Sequence, residues 1–415
     1  MGATVSRATR ASRTGRALLV ALALAVPVAS YLGFVAGAEP EAPPRPREEQ
    51  PAPSTPVHAP RVPVFAPADT LPAPVEVALV RAGVAPEVAT KNQRALEALE
   101  SGAHDEAVAL LEECLVAAPA HPVLSSNLAE ALWRRAHARD LGQIEGLELG
   151  VADLARAATL APARVEIPAR QAEWEKRLAA QRGMWTDMSV HFALSYDGER
   201  GDLLASYSDI LAVLEDAYGE YSLSFAISPV EEEDRRIAVV LYRKDQFRAA
   251  TGIGHWAGGL YDGVVRVPVE DLSRERVQLS RVLRHELAHA FVARRAKGRA
   301  PSWLNEGLAM RLEADDVAWR ARVKDSTQVA RGLPRLAAAD FEGSLASLSD
   351  ETRVRAAYAT AVLCCDAFEQ DGGPFALFDL VAAAGEGRLA ERVERIAGVD
   401  FAGVLARVHE RLDGR

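Results

Sequence analysis

Cysteine is scarce in this chain: there are three in 415 residues, with Cys114 far from the adjacent pair Cys364 and Cys365. Three thiols do not make a disulfide framework, and neighbours in a helical stretch bridge each other only under strain. All three therefore read as small core side chains, an oxidised bridge from Cys114 being the lesser alternative. No Cys-x-x-Cys pair, phosphate-binding glycine loop or Ser/His/Asp arrangement stands out, which leaves dithiol, nucleotide and serine-nucleophile chemistry without a motif. Excess positive charge is missing as well. The net charge of -10 sits on the folded part, because the N-terminal arm is basic, and it argues against a nucleic-acid partner.

Acidic residues are absent from residues 1–16, which carry Arg7, Arg10, Arg13 and Arg16, and charge of either sign is absent from the 22 residues Ala17 to Ala38. As a helix that run is about 33 Å long, enough to span a hydrocarbon core, and the arginines would hold the N-terminus in the cytoplasm. Ala36-Gly37-Ala38 also fits a small-x-small cleavage site, so a removed signal peptide competes with an uncleaved anchor. The run exceeds a usual signal core, which favours the anchor; on either reading residues 1–38 export the rest of the chain. Large apolar side chains are then sparse in residues 39–75, which are crowded with Pro and Ala. Such a segment cannot bury enough surface to offset the entropy of ordering and is expected to be a semi-extended, disordered tether. It is either a spacer that stands the folded part off a membrane or a linker of no required length.

Residues 76–183 read as helical throughout. The block Ala107 to Pro119 recurs in outline as Gly150 to Pro162, at an offset of 43. A small-residue helix ending in Ala-Pro, preceded by a turn such as Ser101-Gly102, resembles the second helix of a tetratricopeptide repeat. The usual period is about 34 residues, and Asp140 to Glu148 supplies the insertion. Two degenerate units need a further surface to stack on, so they are expected to pack against a helix from Ile167 to Ala180 or the domain beyond it. Their role is either a docking groove for a peptide or protein partner or helical support for the domain beyond.

From Met184 the hydrophobic period changes. Val190 to Tyr196 alternates as a strand, Gly201 to Tyr221 is an amphipathic helix, Arg236 to Tyr242 is a buried strand, and Asp245 to Thr251 is a helix stopped by Gly252. Gly258 to Pro268 reads as a hairpin turning at Asp262-Gly263. His255, beside Trp256 in the loop before it, reads as a solvated histidine.

Histidine is rare too, at nine residues, yet two of them stand in Arg284-His285-Glu286-Leu287-Ala288-His289-Ala290. A chance H-E-x-x-H arises in about one chain in a hundred of this composition, so context decides. Apolar residues at helical spacing flank the motif. On a helix the two imidazoles lie about 40° apart around the axis and present to one point. Asn305-Glu306-Gly307 offers a third ligand 17 residues after His289, on a helix expected to begin near Ser302 after Pro301. Two histidines and a carboxylate with an open fourth position suit a catalytic zinc ion, and Glu286 stands where a general base for the metal's water is needed.

With its Trp303-Leu304-Asn305-Glu306-Gly307 follow-on, the motif resembles the gluzincin class of zinc peptidases, most closely the peptidase MA-like family. The resemblance covers about residues 186–370 and implies one zinc per chain on His285, His289 and Glu306, with Glu286 as general base. It implies a small sheet before the metal helix whose edge strand, here near Gly258, Gly259 and Leu260, holds an extended peptide; alternatively the glycines serve the turn alone. It also points to Tyr358 as a donor to the tetrahedral oxyanion, against a simple packed tyrosine. Asn305 and Glu313 are candidates to orient the ligands. Glu313 lies seven residues after Glu306, whereas thermolysin-like relatives carry an acid at plus four, here Met310; the alternative for Glu313 is a surface glutamate. The Gly-x-Met-Glu-Asn motif of aminopeptidase relatives is missing, which favours an endopeptidase.

The expected fold is α+β: a membrane segment (1–38), a linker (39–75), an all-α tetratricopeptide-like domain (76–183) and a zincin-like metallopeptidase domain (184–415) with a small mixed sheet. The expected activity is zinc-dependent peptide hydrolysis outside the cytoplasm of a bacterial cell. The competing class is a non-catalytic envelope scaffold that binds proteins through its repeats.

Overall fold

A computed structural model describes residues 84–414, apart from 234, 253–257, 342, 344, 346, 347 and 349. The sequence-predicted membrane segment, the linker, residues 76–83, His255 and Trp256 lie outside the described residues. Five helices come first: α1 (Pro86–Glu100), α2 (His104–Ala117), α3 (Pro122–Ala138), α4 (Ile144–Leu160) and α5 (Glu166–Gln181). Pro86 and Pro122 open α1 and α3, where a missing N–H costs nothing, and Gly102 makes the α1–α2 turn at φ 81°. Each helix packs on the next around Leu99, Leu111, Leu128, Leu132, Leu154 and Trp174. Asp153 is buried in this stack and accepts from Arg135 at 2.6 and 2.9 Å, which satisfies a charge that could not otherwise leave water. The second helix of the recurring block begins at Ile144, six residues earlier than its sequence likeness. The expected insertion thus shrinks to the loop 139–143.

That loop has a place to go. A five-stranded sheet comes next, in the order β1-β2-β3-β5-β4, from β1 (Trp185–Met188), β2 (Phe192–Tyr196), β3 (Ile237–Tyr242), β4 (Leu260–Tyr261) and β5 (Val265–Pro268). The β2-β3-β5 core is parallel and both outer strands are antiparallel. Helices α6 (Gly201–Leu204), α7 (Tyr207–Phe225), α8 (Pro229–Glu233) and α9 (Lys244–Thr251) make the connections. Strand β3 is buried on both faces, as a central parallel strand should be. Val239 and Leu241 join the main core, while Ala238, Val240 and Tyr242 join a smaller cluster with Phe247, Ala250, Leu141 and Ala180. The helical stack therefore covers one face of the sheet. Gly142 lies so close that a Cβ there would stand 1.8 Å from the Cβ of Ala238.

Two boundaries differ from the sequence reading for local reasons. Strand β1 has no counterpart in the sequence pattern, because Trp185 and Met188 are 55% and 61% exposed and an outer strand shows no buried alternation. The long helix predicted from Gly201 breaks around Ala205 and Ser206 and then runs on to Phe225, where Ala226 caps it at φ 52°. The hairpin does turn at Asp262-Gly263, with Gly263 at φ 95°, a conformation that suits glycine.

The other face of the sheet carries α10 (Leu272–Arg295), packed on α7, α11 (Ser302–Leu312) and β5. Then come α12 (Asp316–Arg331), a short 3-10 turn, α13 (Glu351–Gly372), α14 (Ala376–Gly385), α15 (Leu389–Ala397) and α16 (Phe401–Leu412). All three cysteines are free and buried, and burial pushes the Cys364 thiol up to about 12. Among the described residues, no helix is long and apolar enough to cross a membrane.

Gly142→Ala overpacks the junction and should lower the stability of the chain by about 1–3 kcal/mol, read as a lower urea midpoint. Combining it with Ala238→Gly should recover most of that loss.

Candidate metal centre

From His285 to Val292 every side chain of α10 is buried, so this stretch is clamped on all sides rather than along one stripe. His285 and His289 stand one turn apart with ring centroids 4.8 Å apart. Their Nε2 atoms lie 3.6 and 3.7 Å from the same oxygen, Oε2 of Glu306 on α11. One donor atom from each of the three residues falls within 4.8 Å of the others. The two imidazole–carboxylate separations are close to the roughly 3.3 Å edge of a tetrahedron with ligands about 2.0–2.1 Å from its centre. The three residues can hold a metal ion.

The other ring nitrogens are tied. His285 Nδ1 lies 3.0 Å from Oε2 of Glu313, and His289 Nδ1 lies 3.0 Å from Oδ1 of Asn305. Both partners are acceptors, so each Nδ1 donates and each Nε2 is the nitrogen left for a cation. Glu313 is buried rather than at the surface. It caps the C-terminus of α11, two turns beyond Glu306 on nearly the same face, and reaches across to α10. The plus-four position, Met310, is buried in the hydrophobic core. Glu313 also accepts from Arg281 at 2.9 Å and from Arg322 of α12. Burial alone would raise its pKa, but the bond from His285 and the arginines hold the carboxyl down at about 2, so it stays an ionised acceptor. Arg281 precedes His285 by one helical turn, a spacing visible in the sequence. Arg322 comes from a separate helix and carries no such signal.

Burial by itself would lower the pKa of His285, but the Glu306 and Glu313 carboxylates raise it to about 10. His289 is lowered, chiefly by burial, and is neutral at pH 7. Glu286 is buried; burial, with Glu306, Glu313 and Asp262 adding negative charge, outweighs His285 and pushes its carboxyl up to about 8. Such a carboxyl is poised to exchange a proton near neutral pH. Gly259 sits against it: a Cβ at this position would stand 2.6 Å from Glu286 Oε1. The glycine is thus needed for the close approach of backbone to Glu286. Leu260 and Tyr261 then form β4, the outer strand of the sheet, with the Leu260 side chain packed into the cluster beneath the helical stack.

The structure brings His285, Glu286, His289, Asn305, Glu306, Glu313 and Gly259 into one constellation. Gly258 adjoins it in sequence. Tyr358 is half-buried on α13 and packs against the main core. That helix lies on α11, and the contact is close because position 307 is glycine: a Cβ there would meet Cys365 Sγ at 2.3 Å and Ala361 O at 2.9 Å. Compared with protein-family models, curated proteins and solved structures, the chain shows no significant match.

The protonation pattern leads to two outcomes. Below pH 10 the His285 ring carries a proton on Nε2 that a cation must displace, so metal affinity should rise with pH. Binding at pH 7 should release about one proton from this ring. Calorimetry in buffers of different ionisation enthalpy counts it, and zero release contradicts the assignment. Glu313→Gln, which weakens the hold on His285, should cost about 10–100-fold in metal affinity.

Proposed function

We propose that this chain is a zinc-dependent peptidase of the gluzincin type, with one zinc on His285, His289 and Glu306. The observation that carries the reading is the pair of tied Nδ1 atoms, which leaves both Nε2 atoms converging on the Glu306 carboxylate. Two nitrogens and one carboxylate oxygen form a donor set suited to catalytic zinc. When bound, zinc supplies Lewis-acid polarisation of a carbonyl and lowers the pKa of a water.

The remaining work falls to the chain. Glu286, in its ionised form, takes the proton from the attacking water and passes it to the leaving nitrogen as the peptide C–N bond breaks. The outer edge of β4 pairs with the backbone of an extended substrate, which fits many sequences and an endopeptidase. Tyr358 is the candidate donor to the oxyanion. Glu313 supports catalysis over the scaffold reading, because it supplies the acid that Met310 does not. A scaffold has no need of Glu286, which is not a ligand. In the same reading residues 1–38 carry this chemistry outside the cytoplasm, anchored or exported, and α1–α5 form a tetratricopeptide-like module that can also receive a protein partner.

Elemental analysis of the purified chain should find about one zinc per molecule, lost in His289→Ala and in Glu306→Ala while circular dichroism stays native. Glu286→Gln should keep its zinc and lose cleavage of an unfolded protein substrate by at least about 100-fold. A folded wild type that takes up no zinc sinks the peptidase reading.

A further inference from the structure

Gly259 leads into an edge strand only two residues long, too short to hold its own position through one ladder. What holds it is attached at the next residue. The Asp262 carboxylate accepts from Arg266 Nε at 3.1 Å and pairs with Arg177 Nη2 at 2.7 Å. Arg266 is 0% exposed and its Nη1 donates to Tyr242 Oη at 2.9 Å, which also accepts from Gln181 Nε2 at 2.8 Å. Arg177 and Gln181 are both buried and stand one turn apart on α5, the last helix of the stack. Arg177 of the helical stack thus reaches the turn after β4 directly, and Gln181 reaches it through Tyr242 and Arg266.

Adhesion between stack and sheet does not require these groups. Leu141, Ala180 and Met184 already cover Ala238, Val240 and Tyr242 with apolar surface, and a buried ion pair adds little stability over well-packed apolar side chains. What directional bonds supply, and apolar contact does not, is a fixed position. We infer that α5 is a positioning element of the proposed site: Arg177 and Gln181 set the place of the β4–β5 hairpin beside Glu286, and so the gap that a peptide substrate enters. The role toward substrate rests on the peptidase reading; the clamp on the hairpin does not.

Amide hydrogen exchange on the full chain tests the clamp, with Arg177→Met, Arg177→Lys and Gln181→Leu beside wild type. Arg177→Met should speed exchange across residues 259–266 by about tenfold or more. Protection of 272–295 and zinc content should stay as in wild type, and Arg177→Lys should restore part of the hairpin's protection. With fluorescently labelled casein as the probe, KM should rise at least about fivefold with kcat held within about threefold. Unchanged hairpin protection overturns the inference, as does a loss confined to kcat. If Arg177→Met unfolds throughout, Gln181→Leu decides by the same two readouts. A wild type that binds zinc yet cleaves nothing counts against the peptidase reading, while the exchange data still decide the clamp.

Discussion

An imidazole can offer a cation only one nitrogen at a time, so the centre depends on what holds the other. At His285 that holder is Glu313, and it stays a carboxylate because Arg281 and Arg322 flank it within the same buried space. The bond joins three helices at one carboxyl group: α10 supplies the ring and Arg281, α11 ends at Glu313, and α12 brings Arg322. Asn305, the residue beside Glu306, performs the same office for His289. Behind α11, Gly307 lets α13 press close. Ligand geometry, protonation and packing here are aspects of a single arrangement.

Much of this was legible in the residues. The spacing of His285 and His289 and the hairpin turn at Asp262-Gly263 rest on local rules of helix periodicity and turn conformation, which survive into the fold unchanged, while Glu306 comes to them from a second helix. The inner strand β3 was visible because its unbroken apolar run reports burial on both faces. Strand β1 was not, since an outer strand with exposed Trp185 and Met188 carries no such pattern. Glu313 was visible only as a position on a helical face; whether it faced solvent or His285 depended on how the next helix, α12, folds back to bring Arg322, which makes burial of the carboxylate tolerable. Likewise nothing local to Asp140–Gly142 announces that this turn lands on Ala238. Contacts between elements far apart in the chain obey no period.

The sheet sits between two unlike walls. On one side lies α10 with His285 and His289; on the other lies the helical stack, which meets β3 through Ala180 and loop 139–143. Because β3 buries alternate side chains in each wall, neither face of the strand is free to be polar. Removing the stack would expose Ala238, Val240 and Tyr242 and take from Asp262 and Tyr242 the bonds that Arg177 and Gln181 supply.

A helical array normally grows or shrinks by whole units at either end, each unit needing only its neighbours. Here the last helix, α5, is committed to the sheet, and the turn before α4 is shaped to one alanine. Such a stack has a direction: its α5 end must change together with the strands it touches. Any variant of this architecture must therefore keep Gly142, Arg177 and Gln181 as a set with Ala238 and Asp262.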